Sequence, residues 1–298
     1  MKRVFGALAA AAMACGGSGL QRPAFDGARA LEYVEAQLAF GPRVPNTEGH
    51  RRAGDWIEAQ LRARADTVEV QEFQHVTADG DTLRLRNFVG KFLPDARDRV
   101  LYVAHWDTRP HADQSANLGQ QRLPVPGAND GASGVALLLA VADALRETPP
   151  AYGIDLVLVD GEDFGDFSAD GRPDVLLGSR HYASTLDADR LPLFAVVWDM
   201  IGDRDLQIYR EGYSLAEAPE IVDRVWRTAD ELGHGRIFLA NPVRSVVDDH
   251  IPLQERGVRA IDVIDFDYPP WHTTDDTLDK VSAESLQVVG EVALALIR

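Results

Sequence analysis

Cysteine is all but missing from this chain: 298 residues contain one, Cys15. No intrachain disulfide can form, so the fold must rest on packing alone. Long apolar runs are missing too. No stretch of ~18 or more consecutive apolar residues occurs, which excludes an ordinary membrane-spanning helix. Positive charge is scarce. Lys and Arg total 30 against 47 Asp and Glu, giving a formal net charge of −17 spread along the chain. Such a surface disfavours nucleic acid and anionic membrane as partners. After residue 27 there is no internal repeat, low-complexity tract or convincing linker. What is present is a hydrophobic content of 45%, ample for one large core.

The first residues read as a targeting segment. Lys2 and Arg3 precede an apolar stretch from Val4 to Met13. Ala12-Met13-Ala14-Cys15 follows, then Gly16-Gly17-Ser18-Gly19. This string resembles a bacterial lipoprotein signal with lipid on Cys15. The expected organisation is a signal peptide over 1–14, a lipidated tether over 15–27 and a single domain over 28–298. The expected location is the bacterial cell envelope, facing the periplasm or the surface. The expected contact with membrane is through the anchor only, and the expected state is a monomer. The alternative is a plain secretory peptide cut at the Ala12-Met13-Ala14 site, giving a secreted protein.

Periodicity places the elements. Residues 28–40 put Leu31, Val34 and Leu38 on one helical face, and residues 47–64 put Trp56, Ile57 and Leu61 on another. Two strand patterns at 67–73 and 83–89 flank a turn at Asp79-Gly80, a hairpin signal. From residue 100 strands and helices alternate: strands at 100–104, 154–159, 194–198 and 258–264, and helices at 132–145, 219–232 and 283–297. Alternation of this kind predicts an α/β fold. Its central sheet should be mixed but mostly parallel, with helices on both faces in three layers.

Polar residues cluster where these strands end. His105 and Asp107 follow the first strand of the alternating series, Glu162 and Asp163 the second, and Asp199 the third. Trp271 and His272 lie beyond the fourth, and Asp130 stands at the start of a helix. In open α/β sheets, ligands bind outside the carboxyl ends of the strands. Carboxylates and imidazoles gathered there suit a borderline metal such as zinc and leave a carboxylate spare for proton transfer. That is the equipment for attack on an amide carbonyl. Each station alone has a plainer reading. Asn129-Asp130-Gly131 reads as a turn or helix cap, Glu162-Asp163 as a solvated pair, and Asp248-Asp249-His250 as a surface run with an incidental histidine. Asp199 follows four apolar residues and Trp198, so it should be buried and need a partner.

The ordered set is more specific than its parts. H-x-D, G-A-N-D-G-A-S-G, D-G-E-D, W-D-M-I-G, D-D-H and W-H-T-x-D-D together resemble the zinc exopeptidases of the bacterial aminopeptidase type. The resemblance covers roughly residues 28–298. Trp271 immediately before His272, and Asp248-Asp249-His250-Ile251-Pro252, tilt it toward the glutaminyl-peptide cyclotransferase branch. That resemblance implies zinc on Asp130, Asp163 and His272, and Glu162 as proton shuttle. It implies an acidic hydrogen-bonded pair of Asp199 and Asp248, and substrate contact by Trp271 and His250. The implied substrates are peptides or proteins beginning with glutamine. Asp163 departs from the pattern, which has glutamate there; aspartate is still an ordinary zinc ligand. An aminopeptidase is the alternative. It would use Glu162 on a metal-bound water and hold a second zinc on His105 and Asp199, with Asp130 bridging.

Overall fold

The computed structural model describes residues 24–169 and 171–298. The expected signal peptide and Cys15 lie outside the described residues.

Two amphipathic helices come first, α1 (Gly27–Leu38) and α2 (Glu48–Arg62). Asp26 caps α1 by accepting from the Arg29 N–H, and Thr47 caps α2 by accepting from the His50 N–H. Packing begins slightly before the expected domain start, because Phe25 is already buried. The hairpin signal corresponds to β1 (Thr67–Val76) and β2 (Thr82–Phe92), paired antiparallel and each longer than its apolar pattern. The alternating region supplies β3 (Arg99–His105), α3 (Ala132–Glu147), β4 (Gly153–Val159), α4 (Leu177–Thr185) and β5 (Phe194–Asp199). It continues with β6 (Ile208–Glu211), α5 (Gly212–Glu217), α6 (Pro219–Glu231) and β7 (Phe238–Arg244). It ends with α7 (His250–Glu255), β8 (Ala260–Ile264) and α8 (Ala283–Leu296).

The main sheet runs β1-β2-β4-β3-β5-β8. The β1–β2 and β2–β4 pairs are antiparallel, and β4, β3, β5 and β8 are mutually parallel. Side chains alternate between two cores, as the strand period of two requires. Tyr102, Leu156, Val196 and Ile261 face a large cluster formed with α1, α2, α3, α6 and α8. Leu101, Val157, Val197 and Ala260 face a smaller one with Tyr182 of α4 and Leu253 of α7. This is the expected three-layer α/β arrangement. β6 and β7 form a separate two-stranded parallel sheet.

α3 lies close against β5. A Cβ at Gly134 would come within 2.2 Å of the Trp198 carbonyl oxygen, so only glycine lets helix and strand approach this far. That contact sets the start of α3, and with it Asp130, beside the end of β5. The four parallel strands therefore deliver their carboxyl ends to one edge.

Candidate active site and metal centre

Most of the anticipated residues meet at that edge. Asp130, Glu162, Asp163, Asp199, Asp248 and His272 all line one cavity of about 250 Å³. His105, at the end of β3, is buried beside them. Two groups of three could each hold a metal ion: Asp130, Asp163 and His272, and His105, Asp130 and Asp199. Within each group the donor atoms lie within 4.8 Å of one another.

Local structure explains the convergence. Gly131 adopts φ +93°, and a Cβ there would lie 2.4 Å from the Asp107 carbonyl oxygen. Glycine is thus needed to tuck the Asp130 turn against the end of β3. Asp130 does not cap α3 through its side chain, so the capping alternative is set aside. Its backbone N–H and that of Asn129 are instead bound by Asp276, at 3.2 and 2.9 Å. Asp107 does the same for the Glu162-Asp163 turn, accepting from the Glu162 N–H at 3.1 Å and the Asp163 N–H at 3.3 Å. His272 sits at φ +54°, a sparsely populated region for a non-glycine residue. Its carbonyl accepts from the Gln114 N–H at 3.2 Å. Arg43 is fully buried and spends its guanidinium on the carbonyls of Trp106, Pro126 and Gly127, fixing the loop that leads into Asp130.

The residues fit a divalent cation. The Oδ2 atoms of Asp130 and Asp163 are buried without a hydrogen-bond partner, a costly arrangement unless something else binds them. His272 Nε2 lies 3.2 Å from Asp163 Oδ1 and 3.8 Å from Asp130 Oδ2. His105 Nε2 lies between Asp130 Oδ1 at 3.1 Å and Asp199 Oδ1 at 3.2 Å. Two carboxylates and an imidazole are an ordinary zinc donor set.

Charge in the cavity is strongly one-sided. Burial, then the neighbouring Asp163, Asp248 and Asp249, push the Glu162 carboxyl well above its usual range against the pull of His105. Burial and then Asp199 push Asp248 up to about 7. Burial and then Asp130 push Asp276 up to about 7. Acids crowded in this way hold protons or a cation. A raised carboxyl beside the donor set is suited to move protons near neutral pH.

One anticipated role, that of His250, is corrected. Asp199 and Asp248, the anticipated acidic pair, share the cavity wall. Asp199 Oδ1 turns to His105 and to the Met200 N–H at 2.8 Å, and Asp248 accepts from the Asp249 N–H. His250 is fully buried, points its Nε2 at Glu211 Oε2 at 3.3 Å and does not line the cavity. Its neighbours in sequence reach the site, but the first turn of α7 carries the ring away from it. Trp271 is on the wall, stacked on the His272 ring at 3.8 Å and tilted against Phe266 at 4.9 Å.

Sequence reasoning assigned no role to Asp107 or Asp276, although both stand inside the quoted motifs. It missed Arg109 and Asp113 altogether. Phe167, Arg172, Met200, Ser245, Val246 and Phe266 also line the cavity without having been anticipated.

Comparison with known proteins agrees with this geometry. Residues 87–297 match the model of peptidase family M28. The chain is 25% identical to aminopeptidase YwaD of Bacillus subtilis, over 91% of this chain and 57% of that protein. It is 27% identical to the glutaminyl-peptide cyclotransferase-like protein of Bos taurus, over 79% of this chain and 66% of that one. It thus spans less than two thirds of each of these curated relatives. The crystal structure of Tannerella forsythia glutaminyl cyclase superposes with a TM-score of 0.87 at 39% identity, covering 92% of this chain and 99% of that one. With the fold, the strand-edge site and the matched residues in agreement, the chain belongs to peptidase family M28.

Proposed function

We propose that this protein is a zinc-dependent glutaminyl-peptide cyclotransferase, converting an N-terminal glutamine to pyroglutamate with release of ammonia. One observation carries the reading. Glu162, a buried carboxyl raised by its surroundings, lines the same small cavity as Asp130, Asp163 and His272, with Trp271 on the wall. The likeness to a solved bacterial glutaminyl cyclase at 39% identity supports it.

When bound by Asp130, Asp163 and His272, zinc supplies Lewis-acid polarisation of an amide carbonyl. The remaining work belongs to the chain. Glu162 accepts a proton from the substrate's α-amine as that nitrogen forms its bond to the side-chain carboxamide carbon, Cδ. It returns the proton to the departing amide nitrogen as the C–N bond breaks, so ammonia leaves and the carboxylate is regenerated. Asp107, bound to the Glu162 and Asp163 N–H groups, keeps shuttle and donor set in register. Trp271, Phe266, Ile264 and Val246 form an apolar wall that shields the reacting groups. Ring closure is intramolecular, so holding the glutamine side chain in place supplies much of the rate.

A second reading has its own observation. The His105, Asp130 and Asp199 group would suit a second metal, as an aminopeptidase would use. Purified protein offered Gln- and Leu-aminoacyl substrates, with metal stoichiometry measured in parallel, separates the two. The cyclotransferase releases ammonia from Gln-peptides and stops after exhaustive chelation. Free leucine appearing faster than pyroglutamate would reverse the assignment. We also propose that the protein is held in the bacterial envelope through lipid on Cys15, on the strength of the residues around that cysteine. An unmodified mature N-terminus beyond Cys15 in mass spectrometry would overturn this.

A further inference from the structure

Arg109 and Asp113 lie outside every motif discussed so far, yet they connect two of the three zinc donors. The Arg109 guanidinium grips Asp113 with two bonds, Nε to Oδ1 at 3.0 Å and Nη2 to Oδ2 at 2.7 Å. Its third nitrogen, Nη1, reaches Asp163 Oδ1 at 2.8 Å, the Asp163 carbonyl at 3.3 Å and the Gly165 carbonyl at 2.9 Å. Asp113 Oδ1 in turn faces His272 Nδ1 at 3.3 Å. The result is a continuous chain of charge from Asp163 through Arg109 and Asp113 to His272. Arg109 is buried, whereas the Asp113 side chain is 40% exposed.

We infer that Arg109 and Asp113 act as one positioning strap that sets the affinity and geometry of the zinc site. The physical reasoning has two parts. Asp163 has a short side chain with few rotamers, and its Oδ1 is occupied by Arg109. With Oδ1 held, the carboxylate keeps one orientation, and its Oδ2 is left buried without a hydrogen-bond partner. The two carbonyl contacts fix the backbone of the 163–165 turn, so the carboxylate is aimed before metal arrives. On the other side, the Asp113 carboxylate lies 3.3 Å from His272 Nδ1, a charge contact not aligned as a hydrogen bond, and its charge favours a proton on Nδ1, which leaves Nε2 free as a ligand. A guanidinium can serve both ends at once because it presents donors in a rigid fork; a lysine ammonium cannot. The strap rests on the metal-site part of the proposed function and is indifferent to which amide the site processes.

The test reads zinc binding without substrate. Full-length wild type, Arg109→Met, Asp113→Asn and the double variant are titrated with zinc against a chromogenic chelator. The cobalt(II)-loaded proteins give a d–d spectrum that reports donor geometry. Outer partners of metal ligands typically contribute ~10–100-fold to affinity. Arg109→Met is expected to weaken zinc by that amount and to shift the cobalt bands. Asp113→Asn is expected to weaken it less, since Arg109 keeps its own bonds to Asp163 and the Gly165 carbonyl, and a side chain 40% exposed can be changed without disturbing the fold. The double variant should lose little beyond Arg109→Met, because the two residues work as one unit. Unchanged affinity and spectra in both single variants would overturn the strap, as would losses that simply multiply in the double variant. A wild type that binds no zinc would instead overturn the metal-site reading beneath it.

Discussion

Replacing Glu162 by glutamine removes one ionisable proton site and almost nothing else. The two side chains have nearly the same shape, and the turn is held through its backbone, with Asp107 accepting the Glu162 and Asp163 N–H groups at 3.1 and 3.3 Å. The substitution leaves those bonds and the metal donors untouched. What is lost is general acid–base catalysis, ordinarily ~10²–10⁴-fold, or ~2.7–5.4 kcal/mol in the barrier. Within that range the surroundings set the expectation. Asp248 lines the same cavity and is pushed up to about 7 by burial and by Asp199, so it can carry protons in part. The expected loss in kcat is therefore toward the lower end, ~10²–10³-fold, and Glu162→Gln with Asp248→Asn should fall further. Ammonia release from a Gln-dipeptide, followed in a coupled assay, measures kcat, and metal analysis confirms unchanged zinc. A Glu162→Gln enzyme with kcat within about threefold of wild type and full zinc would refute Glu162 as the shuttle.

Three further outcomes are expected. Trp271→Ala should raise KM for Gln-peptides by about 3–10-fold with a smaller change in kcat, because an aromatic wall worth ~0.5–1.5 kcal/mol is removed; an unchanged KM would place the substrate elsewhere. Gly290→Ala should lower Tm by about 2–10 °C, although alanine normally favours a helix, because the new Cβ of α8 would lie 2.3 Å from Phe25 ring carbons. A raised Tm would mean that Phe25 is not seated there. Glu211 shows the pH dependence. Burial alone would raise its carboxyl, but His250 and Ser214 outweigh this and hold it at about 2 instead of 4.5, a gap of about 3 kcal/mol. A depressed carboxylate stabilises above its unfolded value and loses that contribution as pH falls toward about 2. The stability difference between wild type and Glu211→Gln should therefore be widest above pH ~5 and vanish near pH ~2; a difference independent of pH would refute it.

Much of this architecture is legible in the residues. The apolar runs of β3, β4 and β5 are buried on both faces and so read plainly as strands. His105 and Asp199 end β3 and β5, and Glu162 and Asp163 follow β4, so strand position gathers these four, whereas Asp130 precedes α3 and His272 lies beyond β8. Other parts leave no local trace. α5 and α7 have six residues each, too few for a helical period to emerge, and α4 is little longer. β7 is mostly exposed beyond Phe238 and lacks an apolar pattern. Arg109 and Asp113 sit in a loop without regular spacing, and their importance lies in Asp163 and His272, which only the folded chain brings near. His250 was misread for a related reason. Its neighbour Asp248 reaches the cavity, but the partner of its ring, Glu211, is remote in sequence.

That the donors come from separate elements of the chain also bears on time. Asp130 precedes α3, Asp163 follows β4 and His272 comes after β8, so no local fragment holds a complete donor set. The parallel pairs β3–β5 and β5–β8 are non-local contacts, which form slowly because long loops must close first. High-affinity zinc uptake during refolding should therefore lag behind helix formation and track completion of the sheet. In this chain the metal site doubles as a stopwatch, started by collapse and stopped when β8 delivers His272.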